Sequence, residues 1–396
     1  MDLLAEATCL EVITPPFFGR SKPASSLSMM TIPSSRVMGR LLQLGVSAGT
    51  IPSSMEAPAS GISSVDTPLR VSVIATVLNE GGSIGGLLES LVGQTRSADE
   101  VVIVDGGSRD NTVQIAESYR DRLPLQLLVE PGCGISEGRN RAVLAATGDI
   151  IASTDAGVKL SPEWLSELTR PFEQECQPPG VVAGFFRSDP KSVLETALGV
   201  TVLPTVAEVD PSTFLPSSRS VAFSRDAWRA AGGYPEWLDY CEDVVFDLVL
   251  RETCGPFVWA PQAIAQFRPR TSLGAFFRQY YRYARGDGKA DLWRKRHATR
   301  YMTYLVALPG LLYLAVWHRG DWLLPLLAGV FAYCWVPWLR LQRSGKRLSS
   351  WRRLQAAALV PVIRAVGDVA KMFGYPVGWV WRLRNWARPE IHWRQT

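Results

Sequence analysis

The residues in this chain that could do chemistry are acidic and amide side chains that follow short apolar runs. Asn79 and Glu80 follow VSVIATVL, Asp105 ends VVIVD, and Asp155 ends IIASTD. Short runs rich in β-branched residues predict buried parallel strands, and open α/β sheets bind ligands beyond the carboxyl ends of their strands. The sequence therefore predicts that these four side chains line one crevice of the kind that binds nucleotides.

A second acidic pair, Glu242 and Asp243, lies at the predicted start of a helix in CEDVVFDLVLR. Carboxylates at a helix N-terminus are stabilised by the helix dipole, so a purely structural role is one interpretation. Catalysis is the other, because a positioned carboxylate can take the proton of an attacking hydroxyl.

Arg139 is predicted near the start of a helix over residues 136–146, beside the crevice. Its guanidinium can bind a pyrophosphate, or it can pair with one of the crevice aspartates. Asp155 is the best candidate metal ligand, because Mg²⁺ takes one or two carboxylates and adds substrate phosphates. The six cysteines and three histidines show no metal-ligand spacing, which predicts isolated thiols and no zinc finger.

The elements that must position these residues alternate between strand and helix. Helical stretches are predicted at 83–92 and 111–119, so the order is β-α-β-α-β. This alternation predicts an α/β domain with a Rossmann-like, mostly parallel sheet and flanking helices. No GxGxxG follows a strand, which argues against a dinucleotide-binding dehydrogenase.

These motifs resemble the catalytic domain of glycosyltransferase family 2, from Val71 to about Arg285. The likeness lies in VSVIATVLNE, VVIVDGGSRDNT, GISEGRNRAVLAATGD, STDAG and CEDVVFDLVLR, in that order. It implies a GT-A fold and an inverting transferase that uses a nucleotide-diphosphate sugar and a divalent metal, Mg²⁺ or Mn²⁺. Where the family usually has Asp-x-Asp, this chain has Asp155-Ala156-Gly157, which lacks the second carboxylate.

The resemblance also implies a role for each donor-side residue. Asn79, Glu80, Asp105, Arg139 and Asp155 would bind the donor nucleotide sugar. Asp105 would contact the base, and Asp155 would bind the metal together with the ribose or the diphosphate.

On the acceptor side, the resemblance makes Asp243 the catalytic base, with Glu242 orienting the acceptor or the base. Gln279, Arg282 and Tyr283 look similar to the Gln-x-x-Arg-Trp motif of processive family members, with Tyr in place of Trp. Gln279 and Arg282 would then contact the diphosphate or the acceptor. An interfacial helix whose arginines meet lipid headgroups is the other interpretation of this segment.

The C-terminal third predicts membrane association. Tyr301–Trp317 and Trp322–Leu339 are uncharged runs of 17 and 18 residues, which predict a two-pass hairpin over 301–339. A re-entrant or interfacial pair is the alternative. An amphipathic helix on the membrane is predicted at about 354–373. Basic residues flank the hairpin on both sides, which predicts a catalytic domain on the cytoplasmic face.

Composition divides the chain into three regions. Residues 1–67 are rich in Ser and Pro, which predicts disorder. Residues 68–290 are predicted to form the catalytic domain, and residues 291–396 the membrane-associated helices. The net charge is +5, but the segment from Arg340 onward has 12 Lys and Arg against two Asp and Glu. A basic, Trp-rich tail indicates an anionic membrane surface as partner rather than nucleic acid.

The sequence therefore predicts a membrane-associated glycosyltransferase that moves a sugar to a hydroxyl acceptor. A lipid-linked or cell-surface glycan is the expected acceptor, as in cell-wall or polysaccharide biosynthesis. A processive polysaccharide synthase is one alternative, weakened by Tyr283 and by a hairpin of only two passes. A catalytically silent nucleotide-sugar-binding membrane scaffold is another. The missing second aspartate motivates it, and the intact pair of Glu242 and Asp243 argues against it.

Overall fold

A computed structural model describes residues 69–174, 177–344 and 348–394. The predicted Ser- and Pro-rich extension, residues 1–67, lies outside the described residues. In the described part, eight strands form one mixed sheet. The strands are β1 Val71–Val77, β2 Glu100–Asp105, β3 Leu125–Val129, β4 Ile150–Asp155, β5 Val158–Leu160, β6 Val181–Ser188, β7 Val221–Ser224 and β8 Val258–Phe267.

Helices separate most of these strands, and a group of longer helices follows them. The helices that precede β8 are α1 Ile84–Val92, α2 Thr112–Glu117, α3 Ile135–Ala145, α4 Trp164–Gln174, α5 Val193–Val202, α6 Arg225–Ala230 and α7 Glu242–Cys254. Those after it are α8 Leu273–Ala290, α9 Arg294–Met302, α10 Leu308–Trp317, α11 Leu323–Ser344 and α12 Ser350–Arg384.

The strand order is β3-β2-β1-β4-β7-β6-β8-β5, and its first four strands are parallel. β7 runs antiparallel to both β4 and β6. Val77 of β1 pairs with Asp105, and Thr76 pairs with Asp155, so the carboxyl ends of β1, β2 and β4 meet at one edge. The predicted α/β fold, with helices flanking the sheet and following it, is confirmed.

The core of the sheet forms because its central strands are apolar on both faces. Val73, Ile74, Val102 and Ile103 are fully buried. Such continuous β-branched runs are typical of parallel strands that are covered by helices on both sides. The carboxyl ends of these strands are therefore held rigidly, which fixes the positions of the polar residues that follow them.

Helix α12 joins the C-terminal helices to the α/β domain. It packs along α8 at backbone distance, because a Cβ atom at Gly374 or Gly378 would overlap the carbonyl oxygen of Tyr281 or Arg285. Arg300 Nε of α9 donates to Asp368 Oδ1 of α12 at 2.6 Å. These contacts fix the C-terminal helices against α8, which also lines the candidate site.

The C-terminal helices differ in extent from those that the sequence predicts. The amphipathic helix expected at about 354–373 and the aromatic segment after it form one continuous 35-residue helix, Ser350–Arg384. It is longer because small residues such as Gly374 let the second half continue against α8. Of the predicted hairpin, only Gly320–Arg343 is long and apolar enough, within the described residues, to cross a membrane.

Candidate active site

Two cavities meet at the carboxyl edge of the sheet. The first, which we call the strand cleft, has a volume of about 1190 Å³ and lies along the ends of β1, β2 and β4. The second, the helix cavity, has a volume of about 680 Å³ and runs from α7 between α9, α10, α11 and α12. Asp155, Arg219 and Tyr283 line both cavities. The junction of the two cavities is therefore the place where two substrates could meet.

Arg139 connects the two acidic groups that the sequence singles out. Its Nη2 donates to Asp155 Oδ1 at 2.9 Å, and its Nη1 donates to Glu242 Oε1 at 2.6 Å. The guanidinium is buried and lies 5.3 Å from the centroid of the Tyr234 ring. Asp155, at the end of β4, and Glu242, at the start of α7, are thus held beside each other across 87 residues of chain.

A second path connects Asp155 to Asp243. Arg219 Nε lies 3.3 Å from Asp155 Oδ2, and its Nη1 donates to Ser217 Oγ at 3.1 Å. Ser217 Oγ in turn donates to Asp243 Oδ2 at 3.4 Å. These contacts therefore close into a ring. It passes through Asp155, Arg139, the adjacent pair Glu242 and Asp243, Ser217 and Arg219.

The start of α7 is held in place by α8. Cys241 precedes the helix in the left-handed conformation, with φ of 63°, which non-glycine residues rarely adopt. Its thiol donates to the carbonyl oxygen of Tyr283 at 3.2 Å. Because Glu242 and Asp243 follow directly, this turn sets the direction in which both carboxylates project.

Burial changes the proton affinity of the groups on α7. The pKa of Glu242 is raised to about 7, because burial disfavours its charged form and the charge of Asp243 adds to the effect, against the opposing influence of Arg139. Burial, with a contribution from Asp243, also raises the pKa of Asp247 well above its ordinary value. Burial alone would lower the pKa of Arg139, but the Glu242 and Asp155 carboxylates raise it. Arg139 is therefore a permanent cation at this site.

The donor-side residues predicted from the sequence do not all face a cavity. Glu80 lines the strand cleft, whereas the Asn79 side chain accepts a hydrogen bond from Arg109 N at 2.9 Å and joins two loops. Asp105 is buried, and its Oδ2 accepts from Gly107 N and Ser108 N at 2.9 and 2.8 Å. Its Oδ1 is buried without a hydrogen-bond partner. Such an atom is costly to leave unpaired, which makes it a candidate contact for a ligand.

Gln279 and Arg282 line the strand cleft from α8. Gln279 Nε2 donates to the hydroxyl of Tyr283 at 2.7 Å, and Arg282 Nη1 donates to the hydroxyl of Tyr240 at 3.0 Å. The tyrosine that replaces the tryptophan of the processive motif is therefore bonded to the glutamine of the same motif. Both tyrosines also line the helix cavity.

Asp155 is the residue here that could hold a metal. Among the described residues, no group of three or more His, Cys, Asp or Glu side chains is arranged to hold a metal ion. Mg²⁺ bound to nucleotides uses one or two carboxylates and takes its other ligands from phosphates and water. Asp155 can supply one such carboxylate, because it is partly exposed at the junction of the cavities, and a metal there would share its two oxygens with Arg139 and Arg219.

Arg219, like its neighbour Ser217, is a site residue that sequence reasoning did not single out. It lies in the loop before β7, within PSSRSVAF, a segment without a distinctive pattern. Only the pairing of β7 with β4 brings this loop beside Asp155. A lone arginine in a loop gives no signal of its own, and its place beside Asp155 is a property of the three-dimensional structure alone.

Comparison with known proteins covers part of the chain. Residues 72–200 match the family model described as glycosyl transferase family 2. Uncharacterized glycosyltransferase YibD of Escherichia coli (strain K12) is 38% identical over 100 residues, which are 25% of this chain and 29% of that protein. Uncharacterized glycosyltransferase EpsJ of Bacillus subtilis (strain 168) is 31% identical over 118 residues, 30% of this chain and 34% of that protein. The matches thus span about a third of these relatives.

Among solved structures, the mannosyltransferase PcManGT from Pyrobaculum calidifontis, in complex with GDP-Man and Mn²⁺, is 21% identical. The match covers 80% of this chain and 87% of that protein, with a TM-score of 0.45. The likeness of residues 72–200 to glycosyl transferase family 2 does not depend on this distant structure, because it comes from the family model. The resemblance found in the sequence is confirmed: residues 72–200 of this chain are a glycosyl transferase family 2 domain.

Proposed function

We propose that the protein is an inverting glycosyltransferase, which moves a sugar from a nucleotide-diphosphate donor to an acceptor hydroxyl. The observation that carries the proposal is the ring of contacts that joins Asp155 to Glu242 and Asp243 where the two cavities meet. The donor occupies the strand cleft, along the strand ends, and the acceptor occupies the helix cavity. Asp243 lines the helix cavity, on the acceptor side.

In the proposed reaction, Asp243 takes the proton of the acceptor hydroxyl. The hydroxyl oxygen attacks the anomeric carbon of the donor and forms the new glycosidic bond. The bond between that carbon and the diphosphate oxygen breaks on the opposite face, and its electron pair leaves with the nucleoside diphosphate. Attack and departure on opposite faces invert the anomeric configuration.

Two other groups prepare this step. Glu242 orients Asp243 or the acceptor, because Arg139 fixes its carboxylate beside Asp155. Arg139 and Arg219 present positive charge beside Asp155, where negative charge develops on the departing diphosphate. Fixed cationic donors of this kind stabilise a transition state without having to reorganise during the reaction.

On the donor side, Asp105 is proposed to contact the base, with Asn79 and Glu80 in the neighbouring loop. Gln279 and Arg282 approach the diphosphate or the acceptor from α8. Mg²⁺ or Mn²⁺ would bind Asp155 together with donor oxygens, and when bound it supplies further positive charge to the diphosphate. The arginines act on the same charge, so a single protein carboxylate is sufficient for this role.

The protein is proposed to act at a membrane surface, with its catalytic domain on the cytoplasmic side. The apolar stretch Gly320–Arg343 is 11% buried, which leaves its side chains available to lipid. Basic residues precede α10 and follow α11, as expected for helix ends that face the cytoplasm. A lipid-linked or cell-surface glycan is the proposed acceptor.

The test is a screen of nucleotide-diphosphate sugars for release of the nucleoside diphosphate, with donor binding measured by calorimetry. Wild type is compared with Asp243→Asn and with Asp226→Asn, which changes a highly exposed aspartate. We expect one donor to be consumed by wild type and by Asp226→Asn. Asp243→Asn should bind that donor with wild-type affinity and release at least about 100-fold less product.

Two results would contradict the proposal. If no donor binds or is consumed in the presence of a membrane extract, the fold serves another purpose, such as a scaffold. If Asp243→Asn releases product at the wild-type rate, the protein is a transferase whose base is a different group.

A further inference from the structure

The helix cavity changes in character along its length. At its inner end it is lined by Glu242, Asp243 and Arg219, and at its outer end by apolar residues of α10 and α11. These apolar residues are Leu308, Leu311, Pro325, Leu326, Gly329 and Val330. One continuous space therefore connects the proposed base to the apolar helices.

A polar belt divides the two ends of the helix cavity. Arg296 and Arg300 of α9 and Lys371 and Asp368 of α12 line its middle. Arg300 is paired with Asp368 at 2.6 Å, and Lys371 Nζ lies 4.9 Å from the centroid of the Tyr280 ring. From its inner end to its outer end, a ligand that extends through the cavity therefore contacts carboxylates, then this belt, and then apolar side chains.

The outer end has the composition of a site for a hydrocarbon chain. α10 and α11 expose large apolar side chains on their other faces, such as Leu312, Leu324 and Leu327. A water-soluble glycan gains nothing from the apolar outer end, because its hydroxyl groups lose hydrogen bonds to water there. A lipid chain gains about 0.8 kcal/mol of transfer free energy for each CH₂ group that leaves water.

We propose that the acceptor is a membrane lipid, with its chain between α10 and α11 and its hydroxyl-bearing head at Asp243. This inference rests on the proposed transferase function and deepens it, because it selects a lipid over a water-soluble glycan. The lipid enters from the bilayer at the apolar end of the cavity. Its head passes the polar belt and places the hydroxyl beside the base.

Gly329 allows a direct test of chain binding. It lines the cavity, and a Cβ atom added there meets no other atom within 4 Å, so Gly329→Phe adds a large side chain to the cavity wall at a position with room for its Cβ. Gly310 is the matched control. A Cβ added at Gly310 also meets open space, but the residue lines neither cavity.

The first measurement is photo-crosslinking of the full chain in phosphatidylcholine nanodiscs. The probe is a glucosyl diacylglycerol with a diazirine near the end of one acyl chain, and crosslinked peptides are identified by mass spectrometry. We expect crosslinks at Leu308, Leu311 and Leu326, reduced about tenfold in Gly329→Phe and unchanged in Gly310→Phe. Equal labelling in both variants, or labelling confined to outward-facing Leu324 and Leu327, overturns the proposal.

The second measurement uses the labelled donor that the screen identifies, with a total membrane extract as acceptor. We expect the labelled sugar to be recovered in the organic phase, at a level reduced about tenfold by Gly329→Phe and kept by Gly310→Phe. Label that enters only water-soluble products, at equal levels in all three proteins, refutes a lipid acceptor.

The two measurements separate this inference from the proposed function. Hydrolysis of the donor by water needs no lipid, so in wild type it reports on the proposed transferase function independently of the lipid site. If wild type consumes no donor, the proposed transferase function is contradicted. The crosslinking pattern tests the lipid site by itself.

Discussion

Arg139 and Glu242 form an ion pair, with 2.6 Å between Nη1 and Oε1, in which the side chains are only 3% and 8% exposed. The same guanidinium holds Asp155 at 2.9 Å. A buried charge without a partner is strongly destabilising, so each member of this group depends on the others. Arg139 therefore supports the fold and aligns the site at the same time.

Above the pKa of Glu242, Arg139→Met should lower the free energy of unfolding by about 3–5 kcal/mol, because the charged Glu242 would remain buried without its counter-charge. The measurement is denaturant unfolding of the detergent-solubilised protein. Arg141→Met is the control, since Arg141 forms exposed pairs with Glu130 and Glu137. The control should change the free energy by less than about 1 kcal/mol. Equal effects of the two substitutions would contradict a central role for Arg139.

Stability should depend on pH through Glu242. In the unfolded chain its pKa has the ordinary value of 4.5, whereas in the folded protein it is raised to about 7. Between these values the folded state binds the extra proton, so the free energy of unfolding contributed by Glu242 falls as the pH rises from 4.5 to 7. Its stabilising contribution is complete below pH 4.5 and lost above pH 7.

Unfolding of wild type and Glu242→Gln, measured at intervals from pH 4.5 to pH 7, tests this dependence. The variant should lose the part of the decline that Glu242 contributes and keep the part that the raised pKa of Asp247 contributes, even if its stability is lower at every pH. Thr253→Ala, at the exposed end of the same helix, changes no charge and should keep the wild-type slope. A slope in Glu242→Gln equal to that of wild type would show that another group titrates.

The sequence predicts a large part of the framework, because strong local patterns define it. The β-branched runs ending at Asp105 and Asp155 predict parallel strands, and both form in register with β1. Glu242 and Asp243 begin a helix, as predicted. Alternating strands and helices leave few possible arrangements, so the strand ends had to meet at one edge of the sheet.

Other features depend on long-range packing, which no local pattern specifies. Arg219 reaches Asp155 only because β7 pairs with β4. Helix α12 extends to Arg384 because Gly374 and Gly378 fit against the backbone of α8. The helix cavity arises where apolar helices fail to close on one another, and hydropathy cannot predict which of their faces remains open.

Arg219 should matter for the departing diphosphate. Replacing it with Met removes a guanidinium from the junction of the cavities, which we expect to lower the rate of donor turnover about 100-fold. Arg219→Lys should recover part of the rate, because it restores the charge without the planar fork. Arg229→Met, which removes an exposed arginine paired with Asp226, serves as the control. A wild-type rate in Arg219→Met would exclude this role.

Chelation should reduce the reaction without abolishing it. EDTA removes the divalent ion that is proposed to bind Asp155, whereas Arg139 and Arg219 continue to neutralise the diphosphate. We expect donor turnover to fall about tenfold and to recover with added Mg²⁺ or Mn²⁺. Donor turnover by Asp155→Asn should not recover at any concentration of added Mg²⁺ or Mn²⁺. An EDTA-resistant wild type would indicate that the arginines alone perform this role.

The contact between α8 and α12 should control both stability and transfer. Gly374→Leu places a side chain where the carbonyl oxygen of Tyr281 already lies, so α12 must move away from α8. Overpacking of this kind costs about 1–3 kcal/mol, which should appear as a lower melting temperature in detergent. Gly310→Leu adds the same side chain in open space and should melt as wild type does.

The same substitution also has a consequence for activity. Lys371, three residues before Gly374, lines the helix cavity, so displacement of α12 changes the acceptor side and leaves the strand ends intact. Gly374→Leu should therefore reduce transfer to the membrane extract more than it reduces hydrolysis of the donor by water. An equal loss of both rates would mean that α12 supports the whole domain and not the helix cavity in particular.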